Sequence, residues 1–503
     1  MIEALFEGLL LVLQGKALAF MLLGIGVGFW VGLLPGLGGA TTLALMLPFI
    51  YSMTPVEGFA FLLGMHSVVA TTGDITSVLF GIPGEGTTAA TILDGHAMAK
   101  KGEAGRALGA VLASSLVGAL IGAAALALAV PVVRPLVLTF GSPELFMIAI
   151  VGIAFIASLS AQGGRGMLRG FLAGGVGLMV ATVGQDPQAG IARYTFDSLY
   201  LWNGLDLVPV LIGIFAIPEI VDLIVRGTSI AGDLPRDRLS RGALEGVKDT
   251  FRHFWLTIRC SLIGTFIGIM PGLGGAVAQW LAYGHAAQSA RTAEERQGFG
   301  RGDVRGVLGP GAANNSKEGG SLIPTVAFGV PGSSSMAILL GGFFLLGLVP
   351  GPDMLTTHLP VTFSMVWTIV LANIITVIAC FLFLNHLARI TVVRGHLLVP
   401  VILVLVFVGS YTTNNHYGDI LVMLFFGAVG YLMVAGGWPR APFVLGLVLG
   451  KIVENNLYIS VARYDAAWLT RPVVLVLMAL AVAAILYPLI QARRSVSSRE
   501  KHA

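Results

Sequence analysis

The chain interrupts its own apolar segments at four places, in the same order in each half. Gly268-Ile-Met-Pro-Gly-Leu-Gly-Gly-Ala276 nearly copies Gly32-Leu-Leu-Pro-Gly-Leu-Gly-Gly-Ala40, and Phe328-Gly-Val-Pro-Gly332 repeats Phe80-Gly-Ile-Pro-Gly84. Proline removes a backbone donor and ends a helix, while glycine opens dihedrals closed to other residues. Each break therefore frees amides and carbonyls, which a bilayer tolerates only where protein or a wet cavity satisfies them. Interrupted hydrophobic segments at matching positions of two halves are the sequence pattern of a secondary transporter's binding site.

Composition places these breaks in a membrane. Hydrophobic residues make up 56% of the chain and charged residues 11%, against about 25% charged in soluble proteins, and the mean hydropathy is +0.87. Runs approaching or exceeding the roughly 20 residues that span the hydrocarbon recur at Ala107–Val133, Val361–Leu384 and Pro472–Ile490. A soluble fold is excluded. Glycine supplies 67 of 503 residues, nearly twice its usual share of about 7%, which suits close helix packing. Cys260 and Cys380 lie far apart in apolar segments and read as small buried hydrophobes. The N-terminus has no basic region ahead of an apolar stretch, so no removable signal peptide is expected.

Charge sets the expected topology. Basic clusters at Lys100/Lys101/Arg106, Arg165/Arg169, Arg226–Arg259, Arg291–Arg305, Arg389/Arg394 and Arg493–Lys501 read as cytoplasmic. The basic-poor loops Gly184–Tyr194, Gly347–Pro360 and Tyr411–Asp419 read as external. Crossings are expected near 107–131, 144–160, 168–184, 205–225, 361–385, 397–411, 418–435, 441–454 and 470–490. The expected fold is an all-α polytopic membrane protein with two repeats, whose helices break or re-enter at the Pro-Gly motifs. Residues 1–226 form the first repeat, 227–250 a polar cytoplasmic linker, 251–490 the second repeat and 491–503 a basic cytoplasmic tail. The flanks of the first Pro-Gly-Leu-Gly-Gly look external and those of the second cytoplasmic. That favours inverted repeats, with parallel repeats the alternative.

The breaks at Pro35/Gly36, Pro83/Gly84, Pro271/Gly272 and Pro331/Gly332 gather the candidate site. Amides freed at half-helix N-termini attract an anion, and freed carbonyls hold a cation. Neutral donors surround them: Thr41, Thr42, Thr87 and Thr88 in the first half, and Asn314, Asn315, Ser333, Ser334 and Ser335 in the second. Together with Gly84 and Gly332 these are the expected substrate contacts, and a Na⁺ is expected near Gly38, Gly39, Gly274 and Gly275. Any single Ser or Thr here serves packing more often than ligand binding; the duplication, coupled to prolines, argues for the set. Asp74, Glu85 and Lys317 are candidates for coupling or charge roles, since ionisable groups at membrane depth are costly. Asp94 and Glu318 are telling for the same reason, with capping or pairing near the interface as the alternative, and His66 and His96 read as hydrogen-bonded packing residues rather than proton relays. Neither His-Glu-x-x-His nor Gly-x-Ser-x-Gly occurs, so no catalytic residues, cofactor or enzymatic activity are expected. An uncoupled anion channel is the alternative to a carrier.

At these residues the chain resembles the large membrane subunit of the tripartite tricarboxylate transporter family, the TctA type. Gly73-Asp-Ile-Thr-Ser-Val-Leu-Phe-Gly-Ile-Pro-Gly84 with Asp94-Gly95 is similar to the family's first signature. Ala312-Ala-Asn-Asn315, Gly319-Gly-Ser-Leu-Ile-Pro324 and Gly329-Val-Pro-Gly332 are similar to the second. Departures border the inferred site: Gly311 precedes the Ala-Ala-Asn-Asn, Ser316-Lys317-Glu318 follow it, Glu85 follows Pro83-Gly84, and His96 stands where Tyr is common. The resemblance implies a bacterial inner-membrane system for cation-coupled uptake of an organic di- or tricarboxylate such as citrate. Na⁺ is the expected coupling ion and H⁺ the alternative. It also implies a small four-helix TctB-type membrane subunit and a periplasmic TctC-type solute-binding protein as partners, with no nucleic acid.

Overall fold

The computed structural model describes residues 1–33, 38–159, 163–186, 188–226, 239–271, 274–390 and 399–484. Helices α1 (Ile2–Leu13) and α2 (Gly15–Gly32) lead to the first break, and α3 (Gly39–Met46) and α4 (Pro55–Phe80) follow it. Beyond the second break come α5 (Ala89–Lys100), α6 (Ala104–Val137), α7 (Ser142–Leu159) and α8 (Gly163–Ala181). A loop carrying a two-residue antiparallel pair, β1 (Gly184–Gln185) with β2 (Ala192–Arg193), precedes α9 (Leu207–Arg226). The second half holds α10 (Leu239–Arg252), α11 (Phe254–Ile269), α12 (Gly274–Gln288), α13 (Ala293–Gly298), α14 (Arg305–Phe328), α15 (Ser334–Leu345) and α16 (Leu359–Ile390). It closes with α17 (Val399–Thr412), α18 (Tyr417–Ala435), α19 (Arg440–Tyr464) and α20 (Pro472–Ala484).

Pro35, Gly36, Gly272, residues 227–238 of the linker and the basic tail lie outside the described residues. The rest of the linker is helical. Its α10 seats Gly242, Gly246 and Thr250 against the Gly105–Ala110 stretch of α6, and Asp249 receives Arg106 at 2.6 Å.

Among the described residues, five helices are long and apolar enough to cross a membrane: Gly15–Gly32, Ala104–Val137, Leu359–Leu384, Tyr417–Ala435 and the Arg440–Thr470 stretch. Their outward faces, and that of α11, are apolar, with Leu22, Trp30, Leu128, Phe266, Leu421 and Phe425 exposed. Such a surface is stable only where lipid is the solvent.

Two helices form the centre. In α4 all of residues 58–79 are buried, and in α14 all of 306–327. Thr54 and Glu57 box the start of α4, with Pro55 in its first turn. Both helices end on a left-handed glycine, Gly81 at φ 67° and Gly329 at φ 68°, a conformation that stops a helix at low cost only for glycine. The second breaks begin there.

Glycines fix how neighbours dock on this centre. A Cβ at Gly28 or Gly32 would overlap the Met65 and Val69 carbonyl groups of α4, and one at Gly264 or Gly268 the Ala313 and Lys317 carbonyl groups of α14. Numbers climb together in each pair, so α2 runs parallel to α4, and α11 to α14. Between α4 and α14 themselves the order reverses: His66 meets Glu318, while Ala70 and Asp74 meet Asn314. The two central helices cross antiparallel. In the same way Gly177 and Gly446 bring α8 against α19, and Gly213 and Gly430 bring α9 against α18. With lipid outside, such contacts are held by dispersion at close backbone approach.

Candidate functional site

The second breaks fold back on their own helices. Past Gly81, Gly84 lies so close to Gly73 that a Cβ would stand 2.5 Å from the Gly73 Cα. Past Gly329, Gly332 presses on Ser321, where a Cβ would stand 2.8 Å from its Cα. New helices start at once. Thr88 Oγ1 accepts from Ser77 Oγ at 2.7 Å and donates to the Glu85 carbonyl at 2.9 Å, tying the turn before α5. Ser333 Oγ accepts the Met336 amide at 3.3 Å and caps α15.

The helices that follow the first breaks, α3 and α12, start in the same region. The Gly39 amide at the start of α3 donates to Glu85 Oε1 at 3.2 Å, so this N-terminus already meets an internal anion. A Cβ on Gly39 would lie 2.6 Å from His66 Nδ1. At the start of α12, a Cβ on Gly275 would lie 2.6 Å from Thr87 Cγ2 and 2.8 Å from Lys317 Nζ. Here the positive end of a helix and an ammonium group face one another.

Charges close the centre. Lys317 Nζ donates to Glu318 Oε1, whose other oxygen lies 3.0 Å from His66 Nε2. All three residues are at most 3% exposed. Asp74 Oδ2 accepts from Asn314 Nδ2 at 3.0 Å. Among the described residues, Thr87 Oγ1, Glu85 Oε2, His66 Nδ1, Ser321 Oγ and the Oδ1 atoms of Asn314 and Asn315 are buried with no protein partner. Buried polar atoms are normally satisfied, so their concentration here marks a place built to meet a polar guest. A carboxylate suits the ammonium, the helix N-terminus and the free hydroxyl. The unpaired carbonyl and carboxylate oxygens suit a cation or a hydroxyl.

The model of the tripartite tricarboxylate transporter TctA family matches residues 18–445. This chain belongs to the TctA family. TctA proteins are a membrane component of a three-part transporter, not an enzyme family. A relative from Agrobacterium vitis, an uncharacterized 52.8 kDa protein in the TAR-I ttuC' 3' region, is 30% identical over 486 residues, covering 94% of this chain and 93% of its own. A second, an uncharacterized protein in the TAR-II ttuC' 3' region of the same organism, is 29% identical over 235 residues, 46% of this chain and 96% of its own. No solved structure matches.

In this TctA chain the predicted site residues divide. Glu85, Thr87, Gly38, Gly39, Gly275 and Lys317 converge on the centre, with Gly274 at φ 68° opening α12. Thr41 and Thr42 are buried on α3, where Thr42 Oγ1 donates back to the Gly38 carbonyl at 3.0 Å. Pro83, Gly84 and Thr88 shape the turn before α5; Pro331, Gly332, Ser333, exposed Ser334 and buried Ser335 shape the start of α15; Pro271 ends α11. Asn314 and Asn315 spend their donors between helices: Asn315 Nδ2 reaches Thr71 Oγ1 at 2.7 Å and Asn373 Oδ1 at 2.6 Å. Their Oδ1 atoms have no partner among the described residues.

His66 and Glu318 are central rather than peripheral, and neither stood among the predicted site residues. Asp94 is buried on α5 and accepts the amides of Gly302 and Asp303, at 2.7 and 2.9 Å, and the Tyr283 hydroxyl at 3.0 Å. It fastens α5 to α12 and the loop before α14. The alignment of the two Phe-Gly-x-Pro-Gly motifs carried a usable signal, because it sets His66 opposite Asn314, a residue already singled out.

Proposed function

We propose that this TctA chain forms the translocation path of a cation-coupled carrier that imports a small organic di- or tricarboxylate across the bacterial inner membrane. One observation carries the reading: the Lys317 ammonium and the N-terminus of α12 address one spot at Gly275, beside the unpartnered Thr87 hydroxyl. An ammonium beside a helix N-terminus is unfavourable by itself, and a carboxylate between them resolves the conflict. When it binds, Lys317 shifts its bonding from Glu318 to the guest. Glu318, Glu85 and Asp74 then leave negative charge that an accompanying cation balances, Na⁺ in this reading and H⁺ as the alternative. The Na⁺ would lie by the break carbonyls near Gly38, Gly39, Gly274 and Gly275.

The two halves are inverted copies of one unit in this proposal. Support comes from the antiparallel crossing of α4 and α14 and from the matched glycine contacts of α2 on α4 and α11 on α14. Because α2 and α4 run parallel, the chain returns through α3 to the side on which α2 began, as a re-entrant hairpin does; α11 and α12 repeat this. The hairpins would slide or rock against the remaining helices to expose the site to each side in turn. In the cell the chain would keep its C-terminus cytoplasmic, with a TctB-type subunit beside it and a periplasmic TctC-type protein delivering the acid.

The test is uptake of labelled citrate, malate and succinate into proteoliposomes holding the three-part complex, with and without a Na⁺ gradient. Saturable accumulation that requires the gradient is expected. Flux that never saturates and ignores the Na⁺ gradient would establish an uncoupled channel instead.

A further inference from the structure

We propose that the chain carries a second, outer carboxylate-binding cavity, built on Lys451, His416 and Asn203, which receives the acid before it reaches the breaks. The proposal takes the class of ligand from the carboxylate reading above; its geometry is independent of that reading. The cavity measures about 440 Å³ and is lined by residues 199, 200 and 203–207, by Phe344 and Leu345 at the end of α15, and by Asn414, His416 and Lys451. Small-molecule sites are commonly about 300–1,000 Å³. None of the central group of His66, Glu85, Lys317 and Glu318 lines it.

Its position is that of an entrance. Asn414 and His416 belong to a basic-poor loop expected outside, the end of α15 adjoins another, and residues 199–207 follow the third. Three stretches distant in sequence and alike in charge pattern meet around one hollow. Helix α15 joins it to the interior, running from the second break at Ser333 to Phe344 and Leu345 over 12 residues, about 18 Å.

Its chemistry is that of a donor set. Lys451 is exposed and has no ion-pair partner among the described residues. His416 Nδ1 accepts the Gly418 amide at 2.8 Å, so the neutral ring carries its proton on Nε2, a donor. The ring also stacks on Tyr200, centroids 4.8 Å apart. Two acids stand close, Asp206 in the lining itself and buried Asp419 behind Tyr200, and both take hydrogen bonds from the protein. Asp206 accepts the Val208 amide and Asn414 Nδ2, each at 3.2 Å, and buried Asp419 accepts the Tyr200 hydroxyl at 2.6 Å. Burial, and then Asp419, hold the Tyr200 phenol well above its usual pKa, so it stays a hydroxyl. Among the described residues the lining donors left uncommitted are an ammonium, an imidazole N–H and the Asn203 amide; they outnumber the one lining carboxylate, Asp206, whose two oxygens each already accept a hydrogen bond, and they match a small carboxylate.

The test follows acetylation of Lys451 by N-hydroxysuccinimidyl acetate, read by peptide mass spectrometry on the full chain in nanodiscs. Citrate, malate and acetate are compared with sulfate at equal ionic strength. Citrate or malate should slow modification at least fivefold, and His416→Gln and Asn203→Ala should raise the half-protecting concentration at least threefold without lowering Tm. Thr87→Val at the inner site should leave it unchanged. Absence of protection, equal protection by sulfate, or protection lost in Thr87→Val would each overturn the proposal. Protection of Lys451 without uptake of any acid would support this cavity and sink the transport reading; coupled uptake with Lys451 unprotected would do the reverse.

Discussion

His66 Nε2 lies 3.0 Å from Glu318 Oε2, across the antiparallel crossing of α4 and α14, and the same carboxylate holds Lys317. A buried ion pair is costly to break from one side, about 3–5 kcal/mol, because the remaining charge stays buried. Glu318→Gln should therefore lower the Tm of the purified protein and abolish uptake. The double variant Lys317→Met with Glu318→Met should regain most of the stability and remain inactive. Normal uptake by the double variant would remove these residues from the site.

Adjacent threonines should separate function from scaffold. Among the described residues Thr87 Oγ1 has no protein partner, whereas Thr88 Oγ1 joins Ser77 to the Glu85 carbonyl. Thr87→Val should change stability by less than about 0.5 kcal/mol and weaken substrate affinity about tenfold, or about 1.4 kcal/mol. Thr88→Val should cost about 1–3 kcal/mol of stability. Titrations of uptake and thermal unfolding of both variants check the contrast.

Close approach makes some glycines irreplaceable. Gly28→Ala and Gly264→Ala push a methyl into the Met65 and Ala313 carbonyl groups, and should each cost about 1–3 kcal/mol. At Gly26 a Cβ meets nothing within 4 Å, so Gly26→Ala on the same helix should be neutral or gain up to about 1 kcal/mol. Equal melting temperatures for Gly26→Ala and Gly28→Ala would contradict the packing described.

Asp94→Ala removes the acceptor for Gly302, Asp303 and Tyr283. Amide hydrogen exchange across residues 299–304 should quicken at least tenfold, with exchange in α18 unaltered. Unchanged exchange in the loop would show that Asp94 does not hold it.

The same loop carries a pH dependence. Arg305 bonds Glu295 at 2.9 Å, and with the Arg291 amide it keeps that carboxyl below the usual range. A depressed carboxylate contributes above its unfolded pKa, about 4.3, and its contribution fades as pH falls through the lower folded value. Exchange protection over residues 293–304 should hold from pH 8 to about 5 and weaken below about 4. An Arg305→Gln variant should lack that acid-side step.

The sequence made the breaks legible because proline and glycine act locally, and their duplication needed no structure to see. Hydropathy located α6, α16 and α18 for the same reason. It missed the importance of α4 and α14, since His66, Asp74, Asn314, Asn315, Lys317 and Glu318 dilute the apolar signal of the two most enclosed helices. In the sequence Glu318 fits an interfacial cap or pair as well as a site carboxylate, because its partner His66 lies in the other half of the chain. Asn314 and Asn315 read as donors to a guest because Ala70, Asp74, Thr71 and Asn373, which use those donors, are equally remote. Spacing along one helix reports which side chains share a face. It says nothing of what arrives there from another.

Asp94 pins a segment of one half to the loop and helix of the other. Elements fastened in this manner are geared: neither can travel without dragging its mate. In the carrier proposed above, such gearing would keep α5 and α12 travelling as one body, and Asp94 would be the clasp that must open before they part.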